Sequence, residues 1–500
     1  NLKTIKIPNS VTEIDERAFE ESGIQNIELP NSIKKIKEIK TTLNESSDFA
    51  YRFFKKDGQV VGMVYLKSII DQNLLSSAIY FPLQTFDDKL SIKILKEKII
   101  KCSDIKSIKE QDIIKEILDG RVIIITNFSE ECISVDLFKF PTRTPTEPPT
   151  SPVIQGPREG FVEDMQTNIT LLRRRLKTEN LVLKTLRVGS QTQTKVVIAY
   201  LNGIANKRII HHVTKKIQEI KIDGIVDSYY ILEFLQERPN SLFKQIGNTE
   251  KPDIVTAKLL EGKVAIIVDN SPIVLTVPFV LIEDLQNSND YYTNHHYSSI
   301  VRVIRLLGLL IALVAPGVYL ALQIYHYNIL PLNFLITIAD TTQGLPFTPF
   351  LEILFIFLLF QILYEVSLRL PSYLGLATSV VGALILGDTG VKAGLISPPG
   401  VIIVALSKIA LYTIPEQSSQ VTVLQIIFII LGGSLGLVGM IAGFVYLLNY
   451  LNTIDSYGTP YLAPYGPRIP EDLKDGILTE PIPYMKERPK SFSPEKKEKL

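Results

Sequence analysis

From residue 300 to residue 451 the chain runs as long apolar blocks broken by a few Gly, Pro and charged positions, whereas residues 1 to 299 are rich in Lys, Glu, Asp and Arg. One half suits water and the other lipid, because a helix needs about 20 apolar residues to cross roughly 30 Å of hydrocarbon. Five stretches have that length: 301–324, 348–368, 373–391, 395–413 and 421–450. A sixth run, Ile329 to Ala339, includes Leu330-Pro331 and is too short to span unaided, which suits a re-entrant or interfacial segment.

The polar half carries two kinds of internal repeat. Residues 2–14 (LKTIKIPNSVTEI) recur at 24–36 (IQNIELPNSIKKI), so that Ile5 falls on Ile27 and Pro8-Asn9-Ser10 on Pro30-Asn31-Ser32. A period in the twenties, with alternating apolar residues ahead of a Pro-Asn turn and Ala18-Phe19 behind it, resembles a leucine-rich repeat of the surface-antigen type. Such arrays need about three repeats to bury a continuous core. Residues 1–38 therefore read as the tail of an array or a cap on the next domain. The chain opens at Asn1 without an initiator Met or a secretory signal, so a longer parent chain is expected.

A more distant duplication follows. QVVGMVYLKSIID (59–71) resembles KVVIAYLNGIAN (195–206), and ILDGRVIIITN (117–127) resembles LLEGKVAIIVDN (259–270). Each copy has a β-branched strand after a Gly-containing turn and a helix-like stretch, the rhythm of a small α/β domain. Two such lobes are expected, at 40–140 and 156–290, joined by a Pro/Thr-rich linker at 141–155 whose composition favours extended backbone. The fold class that follows is multi-domain: two duplicated α/β soluble lobes, an all-α polytopic transmembrane domain at 300–451 and a cytoplasmic tail at 452–500.

Several chemistries are excluded or unsupported. A net charge of +1 provides no basic field for nucleic acid. Cys102 and Cys132 read as two buried thiols in a reducing compartment. Phosphate loops, dinucleotide fingerprints and zinc spacings are missing, so no catalytic residue, metal or cofactor is expected and binding, gating or transport is the better class. His295 and His296 stand beside Tyr291, Tyr292 and Tyr297, where an interfacial aromatic belt would sit. The string GGSLG at 432–436 lies inside an apolar segment with no strand before it and is discarded as a nucleophile motif.

Ionisable residues inside lipid are costly and usually face protein or a water path. Here they are Glu352, Glu365, Asp388, Lys392 and Lys408, the candidates for an ion path or gate, with the alternative that some snorkel to the interface. Asp388 and Lys392, four apart, suit a pair on one helix face. Gly432, Gly436, Gly439 and Gly443 form a stripe that lets another helix approach closely. Arg302 and Arg305 at the first span, with eight Lys or Arg after Tyr465, place both ends in the cytoplasm and require an even number of crossings. In the second lobe a helix from Phe161 to Leu176 has Glu163 and Asp164 early and Arg173, Arg174 and Arg175 late, as the helix dipole favours. That arginine run reads as a solvated helix end, or as a site for phosphate or lipid headgroups.

GPREGFVEDMQTNITLLRRRL (156–176) is very similar to the opening signature of the spore-germinant receptor A-subunit family, through Gly156, Pro157, Arg158, Glu159, Glu163, Asp164 and Arg173 to Arg175. The likeness continues through IDGIVDSYYI (222–231), NTEKPDIVTAKLLEGKVAIIVDNSP (248–272), LRLPSYLGLATSVVGALILGDTGVKAGLISPPGVIIVAL (368–406) and YGTPYLAPYGP (457–467), covering about residues 40 to 475. Lys408, where a small or hydroxyl residue is usual, and the repeat-like start depart from the family pattern. The resemblance implies a nutrient sensor in the spore inner membrane that works with multi-span B and lipid-anchored C subunits. It also implies homo-oligomers that form a ligand-gated ion channel, and a nutrient bound directly or through the B subunit. Alternatives are the stage V sporulation AF relative, a secondary transporter, for which the spans show no inverted repeat, and a membrane-anchored signalling scaffold.

Overall fold

The computed structural model describes residues 4–6, 26–28, 31–102, 104–138, 155–369 and 385–499. The linker at 141–155 up to residue 154, most of the repeat-like start and most of the 373–391 stretch lie outside the described residues. The chain divides into two compact units, one of residues 1–239, 246–278 and 487–500, the other of residues 240–245 and 279–486.

In the first unit, β1 (Thr4–Lys6) and β2 (Asn26–Glu28) pair in parallel with Ile5 opposite Ile27. Stacked turns of a repeat meet in this way. The first lobe is a sheet of β3 (Phe49–Lys56), β4 (Gln59–Leu66), β5 (Ile105–Ile108), β6 (Arg121–Thr126) and β7 (Cys132–Asp136), in the order β3-β4-β6-β7-β5. The second contains β8 (Leu181–Val188), β9 (Thr194–Leu201), β10 (Gly247–Thr249), β11 (Val264–Val268) and β12 (Val274–Val277), in the order β8-β9-β11-β12-β10. Matching each strand of the first sheet to the one five places later reproduces the second order, and every pairing in both is antiparallel.

The two sequence duplications are β4 with β9 and β6 with β11. Both β6 and β11 are buried at every position, which their Val and Ile runs allow. Side chains alternate between faces: Val61, Met63, Val122 and Ile124 enter one core cluster, and Val64, Leu66, Ile123 and Ile125 another. The second cluster also takes Ile36 and Ile39 from the helix Asn31–Thr42, so the boundary drawn near residue 38 falls inside an element of the first lobe. Cys132 is buried there, Cys102 only half-buried, and both are free thiols.

The second unit is a helical bundle. Its main helices are α1 (His295–Ile324), α2 (Leu332–Thr342), α3 (Pro349–Arg369), α4 (Pro398–Leu411) and α5 (Ser418–Thr453). Among the described residues three stretches are long and apolar enough to cross a membrane, His295–Ile324, Pro349–Ser367 and Pro415–Thr453, with mean hydropathies of 2.2, 2.0 and 2.4. The expected span at 395–413 is instead the 14-residue α4, about 21 Å long at 1.5 Å per residue.

The helix α5 is not straight. Gly436 has φ 61° and ψ −147°, a conformation essentially confined to glycine. A Cβ on Gly439 would lie 2.7 Å from the Leu431 carbonyl oxygen, and one on Gly443 would lie 2.5 Å from Leu431 Cδ1. Residues eight apart in a straight helix are separated by about 12 Å. The contacts therefore require two arms folded back on each other about Gly436. The expected stripe along one helix is accordingly split: Gly432 meets the Gly317 backbone of α1, Gly436 makes the turn, and Gly439 and Gly443 face the first arm.

Cross-helix contacts set the directions. From Ala312–Gln425 through Gly317–Gly432 to Tyr325–Ser434, residue numbers rise together, so α1 and the first arm of α5 run parallel. Ala312–Ser407 and Gly308–Ala410 make α4 antiparallel to α1, while Glu352–Ser397 and Gln361–Lys408 make α3 parallel to α4. The start of α1 and the end of α5 thus lie at the same end of the bundle.

That end is tied by charge. Arg302, fully buried, donates to Asp290 Oδ2 at 2.9 Å and Asp475 Oδ1 at 2.8 Å, and Arg305 donates to both oxygens of Asp290 at 2.8 Å. These arginines are paired in protein rather than presented at an interface, and the tail supplies part of the pairing. Residues up to 486 belong to this unit, and residues 487–500 belong to the first.

Candidate functional site

The family-motif residues lead to a structural centre in the first unit. The helix Met165–Arg175 is capped by Asp164, whose carboxylate accepts from Thr167 N at 2.8 Å. At its other end Arg173, 2% exposed, makes 3.0 Å bonds through Nε and Nη2 to the two oxygens of Asp48 in the first lobe. Ser46 and Ser68 each donate to Asp48 at 2.7 Å, completing its shell. Arg174 and Arg175 both reach Glu159, at 2.5 and 2.8 Å. The run is therefore committed to carboxylates, and Arg173 is not a solvated helix end. Burial opposes ionisation of Asp48 and Glu159, but the Arg173 guanidinium beside one and Arg174 beside the other hold both carboxyls below their usual range. Gly156 and Arg158 are exposed and Pro157 is half-buried. The Glu163 carbonyl accepts from Asn270 N at 2.9 Å.

The membrane candidates divide sharply. Lys392 pairs with Asp388 at 2.6 Å and Arg369 with Glu365 at 2.5 Å, all with exposed side chains. Only Glu352 and Lys408 are buried, at 1% and 7% exposed, and they lie along the α3–α4 seam.

At one end of that seam Glu352 Oε1 accepts from Ser397 N at 2.7 Å. Ser397 caps α4 through its own hydroxyl on Gly400 N at 3.2 Å, so the carboxylate sits against a helix N-terminus, where the dipole favours negative charge. Gly400 leaves room for this carboxylate: a Cβ there would lie 2.9 Å from Glu352 Oε1 and displace it.

At the other end Lys408 Nζ donates to Gln361 Oε1 at 2.9 Å and Gln425 Oε1 at 3.2 Å, and stands 3.9 Å from the centroid of the Phe357 ring. Phe357 and Gln361 are one helical turn apart on α3, so they share a face. Gln425 donates its amide to the Ala312 carbonyl at 2.7 Å and to Ser407 Oγ at 2.8 Å. A carbonyl only accepts, so the Gln425 amide has one chemically allowed orientation, with its oxygen toward the lysine. Among the described residues no carboxylate pairs with this ammonium.

The energetics are close. Hydrogen bonds from a charged donor contribute about 1.5–3 kcal/mol each, and a desolvated cation–π contact about 2 kcal/mol. Stripping water from the ammonium costs several kcal/mol. Lys408 therefore adds little net stability and depends on both amides. Sequence reasoning found the two charges but not Phe357, Gln361, Ser397, Ser407 or Gln425. The only signal was that two Gln residues interrupt apolar helices, which reads as burial cost without saying where the amides meet.

Comparison with known proteins places these features. A family model described as "Bacillus/Clostridium GerA spore germination protein" matches residues 37–491, and one for a BspA type leucine-rich repeat region matches residues 1–46. Spore germination protein KA of Bacillus subtilis is 33% identical over 94% of this chain and 88% of its own length. Spore germination protein GerQA of Bacillus cereus is 33% identical over 92% of each chain. The crystal structure of the N-terminal domain of the A subunit of the Bacillus megaterium spore germinant receptor GerK3 is 27% identical, with a TM-score of 0.38, over 49% of this chain and 94% of that one.

Proposed function

The chain belongs to the Bacillus/Clostridium GerA spore germination protein family, and from that membership we propose that it is an A-type subunit of a spore germinant receptor. It senses nutrient germinants and forms or gates an ion path in the spore inner membrane. B and C subunits and further copies of this chain are its partners, and the nutrient binds here or on the B subunit. The soluble unit and the tail lie on the cytoplasmic side.

The observation that carries this reading is the pair of buried charges, Glu352 and Lys408, inside a bundle of long apolar helices. A protein that used this bundle only as an anchor would have no need to bear their desolvation cost. The parallel run of α1 with the first arm of α5, and the return of the second arm, supports both ends of the bundle on one side of the membrane.

Ion release from spores exposed to a nutrient panel tests it, comparing wild type, a deletion of the gene, Glu352→Gln and Lys408→Met. Loss of response to one nutrient in the deletion supports a receptor subunit. Point variants that are present in the membrane but silent support an ion path. Unchanged release to every nutrient in the deletion rules the receptor reading out and leaves an accessory role.

A further inference from the structure

The surroundings of Lys408 have the form of a cation receptor rather than of an ion pair. Two neutral amide oxygens, Gln361 Oε1 at 2.9 Å and Gln425 Oε1 at 3.2 Å, and the face of Phe357 at 3.9 Å converge on one nitrogen. Two helices build this cage, α3 with Phe357 and Gln361 and α5 with Gln425, and two others fix it: the Ala312 carbonyl of α1 and Ser407 of α4 hold Gln425 with its oxygen inward. The ligand set selects by charge and size. Divalent ions demand six or more oxygens, carboxylates among them, and none of the described carboxylates takes part. An aromatic face and two amide oxygens suit a small monovalent cation that surrenders its water at modest cost.

We propose that this cage is a binding site for a small monovalent cation, a primary ammonium or an alkali ion, and that Lys408 is a tethered cation occupying it. Removing the tether vacates a preformed site, which a free ion of the same charge then fills. This holds whether or not ions are conducted, so it stands apart from the receptor reading.

The test uses the full chain purified in detergent, as wild type, Lys408→Ala and Lys408→Ala with Gln425→Leu. Thermal unfolding is followed at equal ionic strength in potassium, ammonium, methylammonium and N-methylglucamine chlorides. Lys408→Ala should unfold about 3 °C or more higher in at least one small-cation salt than in N-methylglucamine, while wild type and the double variant show no difference among salts. The ranking of potassium against the two ammonium salts identifies which source of positive charge the cage prefers. Identical melting of Lys408→Ala in all four salts overturns the proposal, as does an equal salt response in wild type. If Lys408→Ala cannot be recovered in N-methylglucamine, extraction in methylammonium chloride reads the same question: rescue supports the site, and failure in both salts overturns it.

Discussion

The Tyr325 hydroxyl lies 2.8 Å from the Ser434 carbonyl oxygen and 3.1 Å from that of Gly433. These are among the last carbonyls of the first arm of α5, and the turn at Gly436 removes the N–H groups that a continuing helix would offer them. A residue at the end of α1 thus closes the tip of a hairpin in α5.

Loss of that cap should cost about 1 kcal/mol, the net worth of one hydrogen bond. Tyr325→Phe is expected to lower the thermal midpoint of the detergent-purified chain slightly. Gly436→Ala should lower it more, because a φ near +61° with this ψ strains any side chain by about 1–3 kcal/mol. Equal midpoints for wild type and Gly436→Ala would show that α5 does not turn there.

The Arg173–Asp48 pair should make the first unit sensitive to acid. The carboxyl of Asp48 is held below its usual value, about 3.9 in the unfolded chain. Its contribution is therefore complete above that unfolded value and disappears as pH falls through the lower folded value. Asp48→Asn leaves the guanidinium buried without its charge partner and should cost about 3–5 kcal/mol at neutral pH. Denaturant titrations from pH 7 to pH 3 should show wild type losing stability toward the acid end and the variant starting low with a flatter slope. A variant as stable as wild type at pH 7 would contradict this account.

Asp290 serves two arginines at once, so Asp290→Asn should destabilise the helical unit by about 3–5 kcal/mol, more than Asp475→Asn, which leaves Arg302 with Asp290. Limited proteolysis of the region around residues 455–486 checks the order. Faster cleavage in Asp475→Asn than in Asp290→Asn would reverse it.

Among the membrane charges, burial sorts effect. Glu352→Gln should alter nutrient-triggered ion release, whereas Asp388→Asn and Glu365→Gln, whose side chains are exposed, should leave release near wild type at equal protein level. A defect in Asp388→Asn with normal release in Glu352→Gln would move any ion path away from the α3–α4 seam.

Much of this was legible in the residues. The polar and apolar halves, the doubled lobes and the parallel register of Ile5 with Ile27 follow from periodicity, because a strand or span must repeat its apolar pattern to bury a face. Asp164 as a cap and the arginines at the far end of its helix follow from local electrostatics. Long-range partners do not, since sequence spacing carries no distance between elements. Arg173 and Asp48 are 125 positions apart, and Lys408 meets Gln361 47 positions away. Whether a charge is buried, snorkelled or paired depends on which helix lies against it. For the same reason four glycines at helical spacing could not reveal that one of them ends the helix: composition determined that α5 is apolar and closely packed, and only the backbone at Gly436 decided that it turns back.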